Sequence, residues 1–158
     1  MSDSNYRLDV PEWQRNALQL ASTEQWEKSL TLWVEHVKSH ELSLWLLKRI
    51  VALQHEGSTS LLGEMQRWYV EPEEKLRWKV FYHAEKLGFD TPAGALALSL
   101  FWSQGSMSPE GLEPVYPEPH LSGLMLRCVL VMLAALDTDS PARGAAGLLT
   151  QWFHQEIA

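Results

Sequence analysis

Cysteine occurs once in the 158-residue sequence, at Cys128. A single thiol forms no intramolecular disulfide and builds no Cys-based zinc site, which suits a reducing compartment. No signal peptide is expected either. Met1-Ser2-Asp3-Ser4-Asn5 lacks a basic stretch followed by an apolar run, so a cytoplasmic protein is expected. Basic side chains are scarce: 13 Lys and Arg stand against 20 Asp and Glu, and none falls between Lys86 and Arg127. The resulting net charge of −7 opposes phosphate backbones and anionic lipid headgroups, so neither nucleic acid nor a membrane surface is expected as partner. A basic protein partner is permitted. Long apolar runs are lacking too. The most apolar stretch, 121–136, is short for a span and carries Arg127 near its middle. It predicts a buried core helix and no membrane insertion.

Helical spacing runs through the whole chain, and alternating strand patterns are absent. The expectation is an all-α, single-domain bundle of seven to eight helices over residues 1–158, with 1–8 flexible and a long Pro-rich loop before a central apolar helix. The first helix is expected from about Asp9, with Pro11 and Glu12 in its opening turn and Leu18 on its buried side. Ser22-Thr23 opens the second, with Gln25 as a capping-box partner, and Trp26, Leu30, Trp33 and Val37 make its apolar stripe. Ser39 caps a third helix reaching about His55, ended by Gly57. A fourth runs from Ser58–Ser60 until Pro72 stops it. Pro72 then enters the fifth helix early, with Glu73 and Glu74 favourable at its positive end and Leu76, Val80, Ala84 and Leu87 as its stripe. Thr91 as N-cap and Pro92 at the first position start a sixth helix whose alanines suit close approach. Residues 121–136 form the seventh. Ser140-Pro141 starts the eighth, which carries Leu148, Leu149, Trp152, Phe153 and Ile157.

No motif carries recognisable chemistry. His36 and His40 are four apart, but Val37 stands where a zinc-peptidase helix needs glutamate. Glu73 and Glu74 suit a helix start better than a hydrolytic pair. Gly105-Ser106 lacks the strand and the second glycine of a nucleophile elbow, and Cys128 sits in the most apolar helix as a structural thiol. No cofactor or metal is therefore expected. An enzyme would have to assemble its site from dispersed residues such as His83, Glu85 and His120.

Eight tryptophans are many for this length. Trp26 and Trp33 read as core. Trp68, Tyr69, Trp78 and Tyr82 either pack as ring-rich core or line one groove that anchors a peptide or protein. Four prolines lie within 104–119, where an ordered, extended loop is expected. Its Val115, Tyr116 and Glu118 make either an acidic recognition segment or part of a structural crossover.

One string of residues has a family character: Trp45; Trp68-Tyr69, Pro72 and Trp78; Ala84-Glu85 and Gly88; Asp90-Thr91-Pro92-Ala93-Gly94; Phe101-Trp102-Ser103 and Gly105-Ser106; and Pro117, Pro119-His120-Leu121. Over residues 42–136 it resembles an uncharacterised, all-helical bacterial family of unknown function. The resemblance implies a setting among contact-dependent secretion components, notably type VI secretion, in an accessory or chaperone-like role, and it implies no site residues. The expected function is a non-enzymatic adaptor or chaperone that binds another protein, a secretion component or effector, with no oligomeric state implied. The alternative is an immunity protein that neutralises a toxin.

Overall fold

A computed structural model of the chain describes residues 11–53, 57–137 and 139–157, the side chains of 156 and 157 excepted. Its regular structure is eight α-helices, with no strand among the described residues: α1 Glu12–Ala21, α2 Trp26–His36, α3 Ser39–Leu53, α4 Thr59–Val70, α5 Glu74–Leu87, α6 Pro92–Ser103, α7 Leu121–Ala134 and α8 Pro141–Ile157. The all-α class expected from helical spacing is what forms. The start near Asp9, the end near His55, the flexibility of 1–8 and the packing of the Ile157 side chain lie outside the described residues. Contacts divide the chain into Met1–Val37 with Leu130–Ala158, and Lys38–Val129.

In the first unit, α1 and α2 form a hairpin and α8 packs on both. Ala17 and Ala21 are the buried residues of α1, small enough to let α2 approach. Trp33 and Trp152 are both buried, with ring centroids 5.7 Å apart. Trp13 stacks on His36 and meets Phe153 edge-on. Leu18, expected inside, is exposed. Ser22 and Thr23 do not cap α2. Their hydroxyls donate back to Gln19 O and Leu20 O, and α2 begins from Gln25 without a side-chain cap. The reason is local: the four free carbonyls ending α1 lie within reach of these hydroxyls. Ser140 does cap α8, accepting from Arg143 N at 3.1 Å. Three residues into that helix, a Cβ on Gly144 would collide with the Ala134 carbonyl ending α7.

In the second unit, α6 is the helix buried on all sides: every residue from Ala93 to Phe101 is inside. Alanine, glycine and serine leave room for α3, α4 and α5 around it. The apolar α7 buries a stripe but leaves Leu124 about half exposed. Thr91 caps α6 as expected, accepting from Gly94 N and donating to Gly88 O. Pro72 lies outside α5, which starts at Glu74 with Glu73 as its extended N-cap. Ser99 and Ser122 exchange hydrogen bonds between α6 and the first turn of α7, satisfying hydroxyls that burial would otherwise strand. No described helix is long and apolar enough to cross a membrane.

Candidate functional site

The site begins with a buried cation. Arg77 falls on the apolar stripe of α5 with Val80 and Ala84, and its side chain is 1% exposed. Such a guanidinium needs partners for its donors. Nε and Nη2 donate to Phe101 O, the last turn of α6, at 3.0 and 2.8 Å. Nη2 also donates to Ser106 O at 2.9 Å, and Nη1 to Glu74 at 2.7 Å. The Phe101 ring lies 4.0 Å below the charge. Carbonyls ending a helix lack intrahelical donors and carry partial negative charge, so a cation there is doubly favourable. Burial pushes the Arg77 pKa below its usual range, and Glu74 opposes the shift. At Gly105, φ is +86° and a Cβ would come within 2.8 Å of the guanidinium carbon. The glycine therefore meets both a backbone and a steric requirement.

Arg77 thereby fixes the start of the proline-rich loop, and the loop holds itself beyond that point. Ser106 Oγ accepts from the backbone N–H groups of Ser108 and Val115, each at 2.9 Å. Met107 N donates to Val115 O at 2.7 Å, and Leu112 N to Pro109 O at 3.2 Å. One serine hydroxyl thus ties both ends of a ten-residue excursion. What the loop displays is apolar: Leu112 is 65% exposed, Val115 51% and Tyr116 69%. Glu118 is exposed beside them, with His120 at 3.5 Å. Between loop and α5 runs a groove of about 910 Å³, with Trp78 and Tyr82 on one wall and Pro109, Leu112 and Pro114 on the other. Trp78 is positioned by its indole N–H donating to Glu74 at 3.0 Å and by edge-on contact with Phe101.

The four aromatic residues expected to share a groove separate into two groups. Trp78 and Tyr82 reach the loop and touch each other, centroids 5.8 Å apart. Trp68 and Tyr69 do not line this groove. Trp68 is buried, Tyr69 packs edge-on against it, and His40 packs edge-on against Tyr69. Four residues separate Trp78 from Tyr82 on one helix face, whereas Pro72 ends the helical register that would have aligned Trp68 with them. Burial raises the Tyr69 phenol to about 12, and the Ser43 hydroxyl beside it partly offsets the shift without the geometry of a full hydrogen bond.

A second feature of α5 joins residues far apart in the sequence. His83 Nδ1 lies 2.6 Å from Glu64 Oε1 of α4, and Lys79 Nζ lies 3.7 Å from the other oxygen of that buried carboxylate. A carboxylate on one imidazole nitrogen is how proteins orient a base for proton transfer, and equally how they neutralise a buried acid. The dispersed set His83, Glu85 and His120 is not gathered: His83 pairs with Glu64, His120 with Glu118, and Glu85 is exposed. Only the 19-residue separation hides Glu64, because nothing local marks it as a partner. Among the described residues no three His, Cys, Asp or Glu side chains group as a metal site.

The model of a family described as "Family of unknown function (DUF6931)" matches residues 17–155. The chain belongs to that family. The DUF6931 match extends beyond 42–136, the span of the sequence resemblance, to take in the second half of α1, all of α2 and nearly all of α8. The Arg77 anchor, the loop and the groove all fall inside it. No curated protein and no solved structure matches the chain.

Proposed function

We propose that this chain is a non-enzymatic protein-interaction module whose contact surface is loop 104–120 with the Trp78–Tyr82 face of α5. The observation that carries the reading is the loop itself. It exposes Leu112, Val115 and Tyr116 while a hydrogen-bonded serine and a buried arginine hold its backbone. Exposed apolar side chains on a constrained backbone bind with little ordering cost, and a tyrosine supplies a large contact at few rotatable bonds. A mere crossover would gain by turning these residues inward.

Within that class, an adaptor or chaperone-like accessory protein of a bacterial secretion system, type VI in particular, working in the cytoplasm, is the reading we adopt. It rests on the family resemblance and on the absence of a catalytic motif in the sequence. The test is affinity purification from the native bacterium with the wild-type chain and with Tyr116→Ala and Val115→Asp, both at exposed positions. A secretion component retained by the wild type and lost by both variants supports the reading. A single toxin with the same dependence would favour an immunity protein. Partners retained equally by all three chains would remove the loop from the interface.

A further inference from the structure

The outer face of α5 carries a charge pattern opposite to that of the whole molecule. Lys75, Lys79, Tyr82 and Lys86 follow at spacings of four, three and four, so they form one continuous stripe. These are three of the six lysines in a chain of net charge −7. They line a groove of about 580 Å³ with Trp78 on one side and His83 and Glu64 on the other. Two of the nearby carboxylates are already engaged. Glu64 lies against His83 and Lys79, and Glu74 is held by Arg77 and Trp78. Lys75 and Lys86, with Glu73 and Glu85 exposed nearby, form no ion pair among the described residues. Tyr82, 51% exposed, lies between them.

We infer that this stripe is the docking site for an acidic segment of a partner protein, bound by carboxylates at Lys75 and Lys86 and by an apolar side chain on Tyr82. Charge complementarity selects the occupant. A single acidic segment satisfies two cations on one helix face, whereas the overall negative charge repels the dense phosphate arrays of nucleic acids and membranes. Eleven residues of helix separate the two lysines by roughly 16 Å. An extended peptide spans that distance in about five residues. Because side chains alternate faces along it, the segment carries acidic residues four or six apart with an apolar residue an even number of positions from each. The site rests on the reading of the chain as a protein-binding module; it adjoins the loop groove, sharing Lys75, Trp78 and Tyr82 with it, and extends away from the loop along Lys79, His83 and Lys86.

The probe is a fluorescein-labelled twelve-residue peptide of Glu, Asp, Leu and Gly with that spacing, titrated against the full chain. Its control is the same peptide with Gln and Asn at the acidic positions. The expected result is binding that weakens with salt, disappears with the neutral peptide, and falls at least about tenfold in the double variant Lys75→Glu, Lys86→Glu. Tyr116→Ala should leave it unchanged. Amide NMR shifts confined to residues 75–86 and α4 would locate it. Both lysines are exposed, and circular dichroism of the double variant confirms its fold. No binding, or binding indifferent to the charge reversal, overturns the inference. Loss of a native partner through Tyr116→Ala, with the charge reversal harmless, would leave the loop reading standing and this one refuted.

Discussion

Replacing Arg77 by methionine keeps the aliphatic stem in place and removes the charge that ties α5, the end of α6 and the loop together. Four hydrogen bonds disappear: two to Phe101 O, one to Ser106 O and one to Glu74. Hydrogen bonds to a charged group contribute about 1.5–3 kcal/mol each before desolvation of that group is counted. The guanidinium is almost wholly buried, so its desolvation offsets a large part of their sum. The net loss should be about 3 kcal/mol, the lower end of what breaking a buried charged network costs. Arg77→Lys should lose somewhat less, since a point ammonium cannot reach both carbonyls through a planar fork. Urea unfolding followed by circular dichroism measures the global term. Limited proteolysis measures the local one: cleavage within 104–120 should speed up in both variants before the helices are attacked. A methionine variant within about 0.5 kcal/mol of wild type, with unchanged loop cleavage, would refute the anchoring role.

Three further outcomes follow from single features. Gly105→Ala puts a Cβ against the guanidinium at a positive φ, and should destabilise by about 1–3 kcal/mol in the same urea assay, with the same rise in loop cleavage. Tyr69 has a folded pKa of about 12 against about 10 unfolded, so its contribution is intact below pH 10 and lost as pH rises from 10 through 12. Stability measured across that window should fall by on the order of 2–3 kcal/mol more in the wild type than in Tyr69→Phe; equal slopes would contradict the burial. Gly144→Ala would drive a methyl into the Ala134 carbonyl and should cost about 2 kcal/mol despite alanine's better helix propensity, which a lowered melting temperature would register.

The features legible in the sequence are those written over three or four residues. Thr91-Pro92 and Ser140-Pro141 start helices because a cap and its N–H partners are local. Trp78 and Tyr82 share a face because one helix turn brings them together. Ser22-Thr23 shows the limit of that reasoning, since the same hydroxyls serve the helix behind them as readily as the helix ahead. Residues 121–136 read as a central apolar helix, and in the second unit close packing also buries the small side chains of α6 on every side. Arg77 lies within a charged stretch, and its acceptors stand 24 and 29 residues away. A signal was nevertheless present: Arg77 falls on the Val80–Ala84 stripe, where an unpaired cation has no place. The Glu64–His83 pair offered no comparable hint, because neither residue breaks the pattern of its own helix.

The central claim is that the exposed residues of the proline-rich loop touch another protein. Site-specific photo-crosslinking in the native bacterium tests it directly, with a benzophenone amino acid in place of Tyr116 and, as control, in place of the exposed Gln151 of α8. The account predicts a discrete crosslinked protein from position 116 that is absent from position 151. No adduct at 116, or the same adducts at both positions, would contradict it.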